Sequence, residues 1–232
     1  GVYVDDVYVD HCEQRYAKGG LVPGSQLANA FASLRANELV WYFVINNYLL
    51  GNAPRAFDLL YWNADSANLP GCLYVYYLRN MYLENRLSVP GALRMKNETV
   101  DLRRLVMPAM VVATRDDHIV PWQSAYRSAR LLGGKTEFVL GASGHVAGII
   151  NPAEANKRQY WVKGNNVLPV EPGDWLARAR EIDGSWWPHW MDWLQNRSGK
   201  NVSPRKTSGN RTYGVVEPAP GRYVRERDDQ RV

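Results

Sequence analysis

Residues 109–152 read AMVVATRDDHIVPWQSAYRSARLLGGKTEFVLGASGHVAGIINP, and five consecutive pieces of that stretch differ in physical character. Met110-Val111-Val112-Ala113 is apolar without interruption, which predicts a parallel strand buried on both faces. Arg115-Asp116-Asp117-His118 is a charged loop at the carboxyl end of that strand. Pro121 to Leu132 sets Trp122, Ala125, Ala129 and Leu132 on one side of a helix, which Gly133-Gly134 is expected to stop. Glu137-Phe138-Val139-Leu140 predicts a second buried strand, and Gly141-Ala142-Ser143-Gly144-His145 follows it as a loop of small residues ending in a histidine.

Strand, acid, helix, strand, histidine is a functional order. Open α/β sheets collect catalytic groups at the carboxyl ends of their strands, so an acid after one strand and a histidine after the next face each other. In the hydrolase order of nucleophile, acid and histidine, Asp117 and His145 are the last two members. Small residues around His145 let backbone and substrate approach the imidazole. The same letters also fit a solvated Asp-Asp turn followed by a capping histidine.

Outward from this stretch, the N-terminal side reads as mainly helical. Val7 to Lys18 suits a helix ended by Gly19-Gly20, and Ser25 to Asn46 repeats Leu27, Ala30, Phe31, Leu34, Leu39 and Phe43 at helical spacing, with Ser25 as cap. Tyr74 to Leu87 is a further helix. A helical block inserted before the acid-bearing strand is a cap over the catalytic face, where it excludes water. On the C-terminal side, Ala153 to Lys163 is expected to be helical and Asp174 to start another helix. Gly184 to Leu194, GSWWPHWMDWL, is an aromatic cluster that most simply packs a last helix on the sheet, with contact to an apolar surface as the alternative. The fold class is α/β, the C-terminal portion of an α/β-hydrolase fold with a mainly helical cap. It divides into 1–6 as the end of a core strand, 7–100 as cap, 101–195 as core with acid and histidine, and 196–232 as a polar tail.

Composition excludes several classes. With 46% hydrophobic and 22% charged residues, the 232-residue chain reads as an ordinary globular protein. Nine Trp and fourteen Tyr suit a protein that handles an apolar partner, or a large aromatic core. The net charge of +5 is concentrated late, from Arg205 onward, without aromatic interleaving, which argues against nucleic acid. Cys12 and Cys72 make no disulfide framework and fit a reducing cytoplasm. No signal peptide, membrane-length run, metal-ligand cluster or phosphate-binding glycine loop is found.

The motifs RDDHIVPWQSAYRSARLLGG and FVLGASGHVAGIINP resemble the C-terminal part of polyhydroxyalkanoate synthases, of the class I type that polymerises short 3-hydroxyacyl-CoA. The likeness extends through LRANELVW, NNYLLGNAPRAFDLLYWNADSANLPG, YLRNMYLENRL, GSWWPHWMDWL and EPAPGRYV, nearly the whole chain. It implies an acyltransferase that releases CoA from 3-hydroxyacyl-CoA, 3-hydroxybutyryl-CoA in this class, and extends a polyester at a cytoplasmic granule surface. The resemblance also implies a homodimer formed in part through the cap, and no cofactor beyond the substrate. Asp117, directly before His118, matches the family's catalytic acid and His145 its base. His118 matches a histidine beside the acid, and Trp62 and Asp65 match a segment near the pocket entrance.

The family's nucleophile is a cysteine in a Gly-x-Cys-x-Gly elbow, which precedes the cap. Neither cysteine here fits. Cys12 lies among Asp10, His11 and Glu13, whose acids disfavour a thiolate, and Cys72 follows Pro70-Gly71 with no second glycine in place. The chain, which opens on Gly1 inside an apparent strand end, is therefore expected to be a C-terminal piece of a synthase, inactive alone. A lipase- or thioesterase-like hydrolase with an upstream serine, and a non-enzymatic granule-binding or dimerisation module, remain as alternatives. Asp117 fits two roles equally, orienting the imidazole or activating the attacking hydroxyl.

Overall fold

The computed structural model describes residues 4–34, 36–54, 66–164, 167–206 and 208–226, so Trp62, Asp65 and Gly1 to Tyr3 lie outside the described residues. The chain forms two compact units, 1–84 with 204–232, and 85–203.

In the first unit, α1 (Asp6–Tyr16) starts at Asp5, whose side chain accepts the Tyr8 N–H at 2.8 Å. Strand β1 (Leu21–Val22) pairs antiparallel with β2 (Leu69–Pro70). Helix α2 (Gly24–Leu34) is followed by π-helical turns at Asn37–Trp41 and Val44–Leu49, so the helical course runs past the expected break at Asn46. Its first N–H, that of Gly24, donates to Asn68 Oδ1 at 2.9 Å, so a partner distant in sequence does what Ser25 was expected to do. Helix α3 (Gly71–Tyr77) continues as a π-turn at Leu78–Leu83 and ends before Asn85, which sits in the left-handed region at φ 47°. Val9, Cys12 and Leu78 form the small core between α1 and this helix. Arg79 clamps the pair from its edge, donating to Glu13 at 2.5 and 3.0 Å.

The second unit opens with a hairpin absent from the sequence reading, β3 (Leu93–Met95) and β4 (Glu98–Val100). Three-residue strands are too short to declare an alternation, and the turn depends on Lys96 at φ 53°. Next comes a four-stranded sheet in the order β5 (Ala109–Thr114), β6 (Thr136–Gly141), β7 (Gln159–Val162) and β8 (Arg180–Asp183). β5 and β6 are parallel, in register Val112↔Val139, and α4 (Trp122–Ala129) connects them. β7 and β8 add on antiparallel. Among the described residues no strand pairs with the other edge of β5.

Both faces of the sheet are covered, as the uninterrupted apolar runs require. Phe138 and Leu140 face α4 and α5 (Pro172–Leu176) in a cluster with Tyr126, Trp161 and Trp175. Val139, Tyr160, Val162 and Trp186 form the opposite core, at the start of α6 (Trp187–Gln195).

Two expectations need correction. The helix expected over Ala153 to Lys163 is a single 3-10 turn, Ala153–Ala155, followed by β7. Asn156 at φ 41° and Arg158 at φ 68° break the helical path, and the apolar Tyr160-Trp161-Val162 pairs with β6. Gly133-Gly134 does not cap α4, which ends at Ala129 with Arg130 as its cap. Added Cβ atoms there would collide with the backbone carbonyls of Arg103 and Met107, so these glycines allow close backbone approach instead.

Candidate functional site

Asp117 and His145 are brought together by register. Thr114 of β5 lies opposite Gly141 of β6, so the loops leaving both strands start side by side. The Arg115 N–H donates to Gly141 O at 2.8 Å and the Asp116 N–H to Ser143 O at 3.0 Å, stitching the two loops together. Asp117 Oδ2 then meets His145 Nδ1 at 2.8 Å.

The acid is the fixed partner. Its side chain is 9% exposed, against 44% for His145, and its Oδ1 accepts the Ile119 and Val120 N–H groups, both at 2.8 Å. Partial burial pushes the carboxyl upward, but the hydrogen bonds from Val120, His145 and Ile119 outweigh it and hold it below the usual carboxylate range. An ionised carboxylate only accepts, so the proton between the two residues resides on Nδ1. The neutral ring then has its lone pair on Nε2, which bonds to no described residue. The pair is built to take a proton at Nε2 and to stabilise the resulting imidazolium.

Buried polar residues that the sequence reading assigned no role in the site hold the histidine loop from beneath. Asn151, 3% exposed, donates to Lys157 O at 3.0 Å. The Ser185 hydroxyl donates to Asn151 O and accepts the Trp187 N–H at 3.1 Å, while the Trp187 indole donates to Ile149 O at 2.9 Å. The GSWW segment therefore does more than pack α6 on the sheet, because its polar atoms anchor the backbone a few residues beyond His145. Gly148 completes the fit. A Cβ there would collide with the Thr114 Cγ2 methyl and stand 2.5 Å from Ala142 O. Gly148→Ala is expected to push the loop off the end of β5 and disturb the Asp117–His145 contact. An imidazole NMR spectrum unchanged from wild type would count against this packing.

Of the other sequence candidates, Trp62 and Asp65 lie outside the described residues and His118 follows Asp117 in the same loop. His118 is exposed and its ring bonds to no described residue. Cys12 is buried in the core between α1 and α3, and Cys72 is exposed at the start of α3, so neither belongs to the unit that carries the pair.

This acid and histidine at adjacent carboxyl strand ends, on a sheet covered on both faces, agree with a family match over residues 15–152, described as alpha/beta hydrolase fold. The chain belongs to the α/β hydrolase fold family. Within that fold it is 48% identical, over 97% of its length, to the poly(3-hydroxyalkanoate) polymerase subunit PhaC of Cupriavidus necator, of which it covers 38%. It is 43% identical to the subunit of the same name from Rhizobium meliloti, over 97% of the chain and 36% of that protein. Poly(3-hydroxyalkanoate) polymerase 2 of Ectopseudomonas oleovorans is 42% identical over 96% of the chain and 39% of its own length. The α/β hydrolase chain is thus homologous to these polymerases and spans less than two-fifths of their length. Among its described residues no helix is long and apolar enough to cross a membrane.

Proposed function

We propose that this chain supplies the acid and the base of a polyhydroxyalkanoate polymerase of the short-chain type, and that the nucleophile is a cysteine on a segment outside these 232 residues. One observation carries the reading: the Asp117 carboxylate held on His145 Nδ1 at 2.8 Å, with Nε2 bonded to no described residue. The edge of β5 that no described strand pairs with supports it, because an open parallel edge in a hydrolase fold calls for a further strand.

In this mechanism Nε2 of His145 removes the thiol proton of the cysteine. The thiolate attacks the carbonyl carbon of a 3-hydroxyacyl-CoA, the carbon–sulfur bond to CoA breaks, and CoA leaves with the proton from the imidazolium. His145 next takes the proton of an attacking 3-hydroxyl, whose oxygen adds to the carbonyl carbon of an enzyme-bound thioester. The carbon–sulfur bond breaks, the cysteine leaves as thiolate and recovers the proton from the imidazolium, and the ester chain is one unit longer. Asp117 holds the tautomer and offsets the imidazolium charge in both half-reactions. The substrate is 3-hydroxyacyl-CoA, 3-hydroxybutyryl-CoA foremost, and the second partner is the growing polyester at its granule surface.

The test is to incubate the polymerase that carries this chain with 3-hydroxybutyryl-CoA, measuring free thiol and the fate of the acyl group together. Thiol release with polyester formation, abolished when the elbow cysteine is changed to alanine, is the expected result. Thiol release that yields only free 3-hydroxybutyrate would make the protein a hydrolase. A serine at the elbow would do the same.

A further inference from the structure

At the opposite end of β6 from the Asp117–His145 pair lies a second concentration of charge. Glu137 is four residues before Gly141, which puts it about 13 Å along the strand from the catalytic end. There Glu137 Oε1 lies 2.6 Å from His189 Nε2 of α6, and both line a cleft of about 290 Å³ together with Val162, Lys163, Gly164, Arg178 and Arg180.

The three cations converge from both sides of the β7–β8 connection. Lys163 follows the last residue of β7, Arg180 opens β8 opposite Val162, and Arg178 precedes it by two residues. Lys163 Nζ donates to Val167 O at 3.1 Å, while the guanidinium groups of Arg178 and Arg180 make no hydrogen bond and no ion pair among the described residues. Arg180 shares its face of the sheet with Tyr160, whose hydroxyl is pushed up by burial, with Arg180 acting against that rise and Asp192 of α6 adding to it. Among the described residues Asp192 forms no ion pair with Arg180, and the only carboxylate lining the cleft is Glu137, already engaged by His189.

We infer that this cleft is a binding site for a small phosphate-bearing anion, separate from the reaction site. Lysine and arginine side chains only donate hydrogen bonds, so the complementary ligand is an acceptor with several oxygens. Two arginines and a lysine against one carboxylate leave a surplus of two positive charges, which matches a phosphate dianion. Two uncommitted guanidinium forks offer the paired donors that phosphate oxygens take. The volume lies just below the roughly 300–1,000 Å³ of drug-sized pockets, fitting a compact head group. A concave setting concentrates the field of the cations on such a ligand. Free phosphate and the phosphate groups of a nucleotide-bearing acyl carrier share this chemistry.

Titration calorimetry at constant ionic strength separates the sources, with inorganic phosphate in one arm and adenosine 3′,5′-bisphosphate in the other. Saturable binding of either, absent with chloride, is the expected result. The arm with the lower Kd names the source. Removing two charges that contact the ligand, Arg178→Gln with Arg180→Gln, is expected to weaken binding by about tenfold or more, and Glu137→Gln to strengthen it about threefold, since the amide still accepts from His189. Opposite signs from neighbouring substitutions are not produced by a general loss of folding. Equal binding by wild type and the double variant, or no binding beyond that of chloride, would overturn the site. Because the two ends of β6 are tested separately, either result leaves the acyl-transfer reading intact.

Discussion

His145→Gln is expected, on the proposed mechanism, to cut thiol release from 3-hydroxybutyryl-CoA by roughly four orders of magnitude or more in the protein that carries this chain, because the group proposed to accept the nucleophile's proton is gone. Asp117→Asn retains the shape of the acid but presents an amide that can donate to Nδ1. The ring then loses the tautomer that leaves Nε2 as acceptor, and a comparable fall of about 10⁴-fold follows. Both variants should keep the wild-type far-ultraviolet circular dichroism, since His145 is 44% exposed and Asp117→Asn preserves volume. Because the two residues act as a unit, the double variant should be little worse than either single one. Activity within tenfold of wild type for Asp117→Asn would remove this pair from the chemistry.

The acid also links stability to pH. Its hydrogen bonds from Val120, His145 and Ile119 hold the folded-state carboxyl below the usual carboxylate range against the effect of burial. A lowered folded pKa means that the contribution is fully present above the unfolded value of about 3.9. It is lost as pH falls through the lower folded value. Asp117→Asn should therefore flatten the acid limb of the stability curve.

Trp175→Ala is expected to cost about 3–5 kcal/mol of stability. Trp175 is 1% exposed and stacks edge-on against Phe138 with ring centroids 4.9 Å apart. Phe138 in turn meets Tyr126 edge-to-face at 5.1 Å, and Tyr126 reaches Trp175 at 5.8 Å. These three rings join α4, β6 and α5, so truncating one leaves a cavity bordered by rigid neighbours that cannot collapse into it. Tyr126 has no alternative position, because its hydroxyl donates to Pro169 O at 2.8 Å. Against a typical domain stability of about 5–15 kcal/mol, this loss moves a urea midpoint far enough to measure directly. A cost below about 1 kcal/mol would mean that the α4 side of the sheet repacks freely.

Legibility followed the range of the forces involved. The apolar runs Met110 to Ala113 and Phe138 to Leu140 read as strands because nothing polar interrupts them, although Met110 to Val112 are only half-buried. Strand polarity put an acid and a histidine at neighbouring strand ends, and the family resemblance singled out Asp117 from Asp116. Helices α1 and α4 were legible through spacing, although α4 ends earlier than Gly133-Gly134 suggested.

What local pattern did not contain was any fact set by a partner distant in sequence. Gly24 is satisfied by Asn68, β7 is a strand because β6 offers it an edge, and Gly133 is small because the Arg103 backbone passes over it. The Ser185–Asn151 and Trp187–Ile149 bonds that brace the histidine loop join residues more than thirty positions apart, so no spacing rule announces them. By itself, the sequence determined which apolar runs become strands and that acids and a histidine follow them, because hydrophobic patterning and strand direction are local properties. Only the tertiary structure decided that Asp117 Oδ2 lies at hydrogen-bonding distance from Nδ1 of His145, because that distance depends on strand register and on the packing under both loops.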